Sequence, residues 1–508
     1  MADDTPFRAT KNPLFALRAG DVQFYRVCDD LSGLLIFPMI VFSPWAFGTT
    51  QPWSIWTMNV AGFALGIFLL AKLFIRKAKN YAAPRWEHFP ERTFSRELAW
   101  LTLAIAGYCL VSALNARATY NPATEIFDYH RCFNWLPHSM DSNRSWAAFW
   151  NYSALACSFW AVRDWLPGMS PGEQRAFRGG RESGSEKTFP VLPARLRWLL
   201  WLLCLNGVLL GIEGIVQRAS GSDKLLFLVH PQVNPEAETQ FGAYHYRSNA
   251  AQYFNLLWPL CLGFWWTLHR LGGLRHKLHH LLLLCSAVMA ACPIISGSRG
   301  GAIVDAGILF FVMIFFAVMN FFSSTWRQKE RRTRRGTAVL LGLFFAMAMA
   351  LGWYFGWNLL STRMVDIQGG YQEREQMYEA ARPMAADYPI FGTGPGTFGT
   401  VFQLYRYSNE TYWPEQLHND WLETRITFGW VGMVLILSAL ACVGLRWFAP
   451  GGIRGGRRFV ILAWAGLAGC LLQARFDFPF QIYSILFLFL VICAMLFNLS
   501  SRSGASRH

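Results

Sequence analysis

Residues 413–445, WPEQLHNDWLETRITFGWVGMVLILSALACVGL, join a polar segment directly to a long apolar run. From Phe428 to the end of this stretch the sequence contains no charged residue. An apolar segment of about 18 residues is typical of a membrane-spanning helix, because hydrocarbon offers backbone polar groups no partner outside the helix. The stretch therefore predicts a helix that enters a membrane, with His418, Asp420 and Glu423 at its polar edge.

The composition extends this prediction to the whole chain. Its 508 residues are 53% hydrophobic and 15% charged, whereas an ordinary soluble domain is roughly 25% charged. The sequence predicts an all-α polytopic membrane protein of about twelve transmembrane helices, with a large external loop that carries short helices. The predicted spans are 31–48, 54–75, 98–115, 146–166, 198–217, 249–268, 281–297, 301–322, 338–358, 428–446, 459–474 and 481–499.

The basic residues predict the orientation of these helices. The formal net charge is +15, but Lys and Arg concentrate in alternate loops instead of forming one patch that would suit nucleic acid. By the positive-inside rule these loops are cytoplasmic, and an even number of spans puts both termini there as well. The external segments are then 116–145, 218–248, the short turn near Arg299, and 359–427. The first thirty residues lack a signal-peptide cleavage pattern, so the first span is expected to remain as an anchor.

The external segment 359–427 has a predicted organisation of its own. Residues Tyr371 to Ala386 have the composition of a helix, and Pro389 to Gly399 that of a turn-rich loop. The glycines of GTGPGTFG, 392–399, fit either a structural turn or a set of backbone amides that cradles a phosphate. The loop lacks the Lys-Ser/Thr of a nucleotide-binding P-loop, which favours the structural turn.

Four arginines at external or near-external positions need an explanation, because positive charge is disfavoured on that side. They occur in FGAYHYRSNAAQYFNLLWP (Arg247), SGSRGG (Arg299), YQEREQMYEAARPM (Arg374) and LLQARFDFPF (Arg475). A guanidinium group can bind a phosphate through paired hydrogen bonds. The alternative is that each arginine extends to lipid headgroups. Asp305, six residues after Arg299, is a candidate partner for that arginine.

His418 is the candidate catalytic residue. An imidazole at the boundary between water and lipid can take a proton from a hydroxyl group near neutral pH, provided that it is neutral and within hydrogen-bond reach. The alternative is a structural histidine that only makes hydrogen bonds. The candidate supporting residues for the arginines and the histidine are Asn249, Asn419, Glu423, Asp305 and Arg475.

The sequence gives no indication of metal or redox chemistry. Nearly all of its 11 cysteines lie within predicted spans, where a thiol behaves as a small apolar group. No C-x-x-C pair occurs. We therefore expect no metal site and no cofactor.

Five strings between roughly 240 and 480 resemble, in content, order and spacing, the O-antigen ligase and O-antigen or exopolysaccharide polymerase superfamily. They are FGAYHYRSNAAQYFNLLWP, SGSRGG, REQMYEAARPMAADYPIFGTGPGTFGTVFQLYR, HNDWLETRITFGWVG and DFPFQI. The resemblance implies a glycosyltransferase of the bacterial inner membrane that works without a metal. Its donor is then a glycan on undecaprenyl diphosphate, and its acceptor is a sugar outside the cytoplasm, on the lipid A core or on a growing polysaccharide.

The resemblance also implies roles for individual residues. Arg247, Arg299 and Arg374 are similar in position to the diphosphate-binding arginines of the family, and His418 to the essential histidine of its large periplasmic loop. Thr427 departs from the pattern, since many members have an acid there, two residues before a G-x-x-G motif. The role of that acid is therefore in doubt for this chain, and Glu423 is a weak substitute.

The resemblance predicts two regions and one function. Residues 1–240 hold the N-terminal transmembrane helices and loops, and 241–500 form the ligase- or polymerase-like catalytic region with the external loop. The predicted reaction is an inverting glycan transfer. The alternative is a flippase-like transporter of lipid-linked oligosaccharides, which would need a cationic cavity in mid-membrane. An intramembrane serine protease is disfavoured, because Ser296 and Ser298 lack a G-x-S-G motif.

Overall fold

The computed structural model describes residues 16–86, 94–182, 192–272, 277–322, 328–365, 367–407, 414–448, 453–454 and 456–500. Within these ranges the chain is almost entirely helical. The helices are α1 (Ala19–Trp45), α2 (Pro52–Ala78), α3 (Ser95–Leu114), α4 (Ser142–Trp165), α5 (Pro171–Glu182), α6 (Ala194–Ser220), α7 (Arg247–Gly272), α8 (Leu281–Ile295), α9 (Arg299–Phe322), α10 (Gln328–Val365), α11 (Ile367–Asp387), α12 (Phe398–Val401), α13 (Asp420–Arg446), α14 (Arg457–Gln473) and α15 (Tyr483–Asn498).

Short strands form two small sheets. Strand β1 (Ala118–Asn121) pairs antiparallel with β2 (Ile126–Tyr129), and β3 (Ile453–Arg454) pairs in parallel with β4 (Leu499–Ser500). The first pair lies in the predicted external segment 116–145. These strands are too short to change the class of the protein, and the prediction of an all-α polytopic membrane protein is confirmed.

Every predicted span overlaps a long helix of the described chain. By length and composition, 8 helical segments are apolar enough to cross a membrane: α1, α2, α3, α6, α9, α13, residues 278–295 with α8, and residues 336–365 of α10. The last helix, α15, is apolar but shorter. The helices were therefore predicted correctly, whereas the number of about twelve crossings stays a prediction.

The segment between α10 and α13, which is predicted to be external, is shorter at both ends than the predicted 359–427. Helix α10 continues to Val365, and α13 begins at Asp420. Both helices therefore extend past the predicted ends of their spans, which is possible where the backbone groups at a helix end have hydrogen-bond partners. The Asn419 side chain accepts the amide of Leu422 (3.2 Å) and so caps α13. Helix α11 confirms the helix predicted over Tyr371 to Ala386.

The glycine-rich loop Pro389–Gly399 packs against a kink in α13. The amide of Thr393 donates to the carbonyl oxygen of Ile426 (2.9 Å), and the next amide donates one residue further along α13 (3.0 Å). The kink lies at Gly429, whose φ is +61°. A Cβ atom added at this position would lie only 2.3 Å from the Ile390 carbonyl oxygen, so a side chain does not fit there. Two amides of the loop are thus used within the fold, which supports the structural turn over a phosphate cradle.

Helix α7 lies at the centre of the helical core. It packs against α8, α9 and α14, and large side chains such as Trp258 and Trp265 are fully buried on it. Close packing of this kind leaves a helix little freedom to shift or rotate. The first residue of α7 is Arg247, so the core fixes the position of this candidate site residue.

We expect a cysteine at position 407 to react with a membrane-impermeant thiol reagent in intact cells. Tyr407 is exposed in the loop between α11 and α13, and the positive-inside rule puts that loop outside the cytoplasm. The background chain carries Cys132→Ser, because Cys132 lies in another predicted external segment. The control is Arg175→Cys on α5, which should react only after permeabilisation. If the Tyr407→Cys protein also required permeabilisation, the predicted orientation would be wrong.

Candidate active site

The backbone of His418 has an unusual conformation that neighbouring side chains hold in place. Its φ is +56°, a left-handed value that costs a non-glycine residue of order 1–3 kcal/mol. The Tyr378 hydroxyl on α11 donates to the His418 carbonyl oxygen (2.7 Å). Glu423 in the first turn of α13 accepts the amide of Leu417 (2.8 Å). Two helices therefore fix the histidine from either side.

The imidazole of His418 lies in an aromatic cage beside a carboxylate. Its ring meets Phe478 edge to face, with centroids 4.7 Å apart, and Tyr246 at 5.9 Å. The buried Nδ1 atom lies 3.5 Å from Asp477 Oδ1, and 20% of the side chain is exposed. That distance is long for a hydrogen bond, and the two groups attract each other as an ion pair only when the imidazole is protonated. Because Nδ1 is covered, Nε2 is the nitrogen available for proton exchange.

Asp477 is a site residue that the sequence analysis missed, although its string DFPFQI was part of the resemblance. It is buried between α14 and α15, and its second oxygen accepts the Ser248 hydroxyl of α7. Burial raises the pKa of Asp477, but the proximity of His418 and of the Arg374 guanidinium outweighs burial and holds the pKa below its usual value. Asp477 is therefore an anion at neutral pH and can stabilise a protonated imidazole.

The structure brings the three predicted diphosphate-binding arginines together and adds two more. The cluster comprises Arg218 in the last turn of α6, Arg247 and Arg299 at the first positions of α7 and α9, Arg363 near the end of α10, and Arg374 on α11. These residues lie close enough for their charges to influence one another. Arg218 and Arg363 were missed because nothing distinguishes them, in sequence, from arginines that extend to lipid headgroups.

Backbone carbonyl groups hold several of these guanidinium groups. Arg247 Nη1 donates to the Glu238 carbonyl oxygen (2.7 Å), and Arg374 Nη1 donates to that of Phe476 (2.5 Å). Arg247 lies just before the predicted span 249–268. Burial, together with repulsion from Arg363, lowers the pKa of its guanidinium group to about 10. A carbonyl group orients an arginine without neutralising its charge, so the cluster is suited to bind an anion with more than one negative charge.

Glycine makes room for another member of the cluster. A Cβ atom at Gly370 on α11 would lie 2.3 Å from a terminal nitrogen of Arg299, so the two helices can approach only because this position has no side chain. Arg363 Nη1 donates to the carbonyl oxygen of Gly297, directly before α9 (2.9 Å). These contacts tie the start of α9 to both α10 and α11.

The remaining predicted residues have mainly structural surroundings. Asp305 accepts a hydrogen bond from Trp258 Nε1 (2.9 Å), so the expected pairing with Arg299 is wrong. Six residues correspond to a rotation of about 240° around a helix, which directs the two side chains to different faces. Asn249 is buried in the first turn of α7, whereas Arg475 is exposed.

A large cleft opens on the other side of His418. Its volume is about 1430 Å³, and the sequence analysis did not predict it. Aromatic and polar side chains line it together, a combination typical of sites for polar organic ligands. The lining near the histidine includes Tyr246, Phe478, Arg144, Glu415 and Gln416. Arg247, Arg299, Arg363 and Arg374 are not among the lining residues, so His418 and Tyr246 stand between the arginine cluster and the cleft.

The fold and the site together define a multi-pass membrane protein whose candidate site is built from helix ends and one loop. A sequence model of the family described as O-antigen ligase matches residues 284–437, which confirms the resemblance and assigns this segment to the O-antigen ligase family. The match contains Arg299, Arg374 and His418. It indicates a glycosyltransferase-like enzyme of the ligase or polymerase type. No protein with a curated function matches the chain.

Asp477→Asn should lower turnover in glycan transfer by roughly 10²–10⁴-fold, the range over which a positioned acid or base contributes to catalysis. The amide keeps the shape of the side chain but removes the charge that supports a protonated His418. Donor affinity should change much less, so the substitution should lower kcat and leave the Kd for the donor nearly unchanged. The control is Asp387→Asn, which removes a carboxylate that accepts a hydrogen bond from Tyr405 near the far end of α11. Equal turnover for the Asp477→Asn protein and the parent protein would show that the carboxylate has no part in the reaction.

Proposed function

We propose that this protein transfers a glycan from undecaprenyl diphosphate to an acceptor sugar on the periplasmic side of the bacterial inner membrane, as an O-antigen ligase or a polysaccharide polymerase. The observation that carries the proposal is the position of His418 between a cluster of half-buried arginines and a polar, aromatic cleft. Both termini are then cytoplasmic, and 241–500 is the catalytic region.

The arginine cluster is the proposed donor site. A diphosphate carries several negative charges and needs donors from more than one direction, which five arginines on separate helices can provide. The polyprenyl chain would lie between helices at the lipid boundary. As the bond to the sugar breaks, charge grows on the departing diphosphate, and the guanidinium groups stabilise that charge in the transition state. With this charge matched by arginines, the proposed reaction needs no metal.

The cleft is the proposed acceptor site. An acceptor hydroxyl near His418 would give its proton to Nε2 while its oxygen bonds to the anomeric carbon of the donor sugar. The bond between that carbon and the diphosphate oxygen breaks at the same time, and the carrier diphosphate departs towards the arginines. Asp477 stabilises the protonated imidazole. Because acceptor and leaving group approach from opposite sides, the anomeric configuration is inverted.

The flippase-like alternative requires cationic residues in a cavity at the middle of the membrane. In this structure Arg247 and Arg299 are the first residues of their helices, and Arg363 is near the end of its helix. His418 lies in a loop directly before α13. The site is made from helix ends at one face of the helical bundle. This position favours a reaction at that face over transport of a lipid-linked glycan through the bundle.

Replacing Arg247, Arg299 or Arg374 individually by Ala should weaken donor binding or turnover by roughly ten- to a hundredfold, because a hydrogen bond to a charged group contributes about 1.5–3 kcal/mol. Arg→Lys should restore little, since lysine cannot make the paired contact. The assay measures binding and transfer of a glycan on undecaprenyl diphosphate with purified protein. The control is Arg382→Ala, an exposed arginine on α11 that pairs with Glu375. Full activity of all three alanine variants would remove the cluster as the donor site.

His418→Ala and His418→Gln should both reduce transfer by about 10²–10⁴-fold while the protein still binds the donor, as expected for the loss of a general base. Transfer and donor binding are measured in parallel, with His130→Ala in the external segment as the control. Normal turnover would make His418 an anchor at the membrane surface. Lost donor binding with intact folding would make it a ligand of the diphosphate.

A further inference from the structure

Three histidines converge at the opposite end of α7 from the arginine cluster. His269 lies in the last turn of α7, and His279 and His280 lie directly before α8. One ring nitrogen from each histidine lies within 4.8 Å of the other two. His279 is buried and the other two are half-buried, so the group lies at the edge of the core with access from one side.

The spacing of one pair of these nitrogens equals that of two ligands of a tetrahedral metal ion, and the third nitrogen lies within 4.8 Å of both. Nδ1 of His269 lies 3.3 Å from Nε2 of His279. Zinc binds imidazole nitrogens at about 2.0–2.1 Å, so two ligands at the tetrahedral angle are about 3.3–3.4 Å apart. A hydrogen bond between two imidazoles accounts for one pair of nitrogens only. A third imidazole nitrogen within 4.8 Å of this pair is not explained by that hydrogen bond, and a small shift would bring all three nitrogens to metal-ligand distance of one cation.

Side chains around the histidines hold the first ring in a suitable orientation. Thr337 Oγ1 on α10 lies 3.0 Å from His269 Nε2. When Nε2 donates to this hydroxyl, the lone pair of Nδ1 remains free for a metal, as is usual for metal-binding histidines. Trp265 stacks on the His269 ring with centroids 5.2 Å apart. The contact of Trp265 Nε1 with His280 is 3.5 Å long, too weak to fix the tautomer of that ring.

We propose that His269, His279 and His280 bind a divalent zinc-like cation, with a fourth position open to water. The sequence analysis predicted no metal because no C-x-x-C pair occurs, and it did not consider His269, His279 and His280 as ligands.

The proposed ion is too far from His418 and the arginines to take part in glycan transfer. His269 is 22 residues from Arg247 on the same helix, which corresponds to about 33 Å. The ion would instead join the end of α7 to the start of α8, with α10 attached through Thr337. The site would thus fix three helices of the core, and its existence does not depend on the proposed function.

The test uses the full-length protein without a polyhistidine tag, purified in detergent and supplied with zinc ions alone. We expect about one tightly bound zinc per chain by elemental analysis. We also expect strong visible absorption after substitution by cobalt, as is typical of a tetrahedral site. His269→Ala and His280→Ala should lose the metal, whereas His130→Ala in the external segment should keep it. Zinc should raise the unfolding temperature of the parent protein but not that of the His269→Ala protein.

Thr337→Val provides a variant that removes no metal ligand. It should weaken zinc binding by roughly 10–100-fold, because groups that orient a ligand contribute to affinity on this scale. If the histidine variants fail to fold, the zinc affinity of the Thr337→Val protein decides whether the proposed site exists. Substoichiometric zinc in the parent protein, equal zinc content in the His269→Ala protein, or unchanged affinity in the Thr337→Val protein would each overturn the proposal.

Discussion

The pairing of one buried carboxylate, Asp477, holds the candidate site together. One of its oxygens accepts the Ser248 hydroxyl at the start of α7, and the other faces His418. The carbonyl group of its neighbour, Phe476, holds Arg374. A charge in such a place must be paired, since removal of one partner from a buried pair costs several kcal/mol. The same turn between α14 and α15 therefore positions the proposed base, His418, and one of the arginines.

The charges around this turn are separated in a way that suits the two unlike ligands of the proposed reaction. Arginines held by backbone carbonyl groups keep their positive charge on one side of His418, whereas the cleft on the other side mixes aromatic and polar side chains. A diphosphate and an uncharged sugar hydroxyl need these two environments. Tyr246 lines the cleft, contacts the His418 ring and lies within the field of the arginines. Tyr246 therefore lies between the proposed donor site and the proposed acceptor site.

The helices and the principal charged residues could be predicted from the sequence, because long apolar runs and arginines on the unexpected side are local signals. The same signals predicted Arg247 and Arg299 as site residues, and the structure brings these two arginines together; the catalytic role of His418 stays a prediction. Asp477 could not be found in this way: its partner Ser248 is 229 residues away in the chain, and a single aspartate has no periodicity. The cleft was missed for the same reason, since its walls come from distant segments. The expected pair of Asp305 and Arg299 failed because sequence proximity says little about which helix face a side chain occupies.

The threonine at position 427 is consistent with a reaction that relies on His418 and Asp477. The Thr427 hydroxyl donates to the Glu423 carbonyl oxygen (2.8 Å), and the Glu423 carboxylate already accepts the amide of Leu417. The Glu423 carboxylate therefore helps to hold the strained backbone before His418. The carboxylate beside the His418 imidazole is instead that of Asp477, from the turn between α14 and α15. In the proposed reaction, the negative charge that supports the base therefore comes from this turn and not from α13.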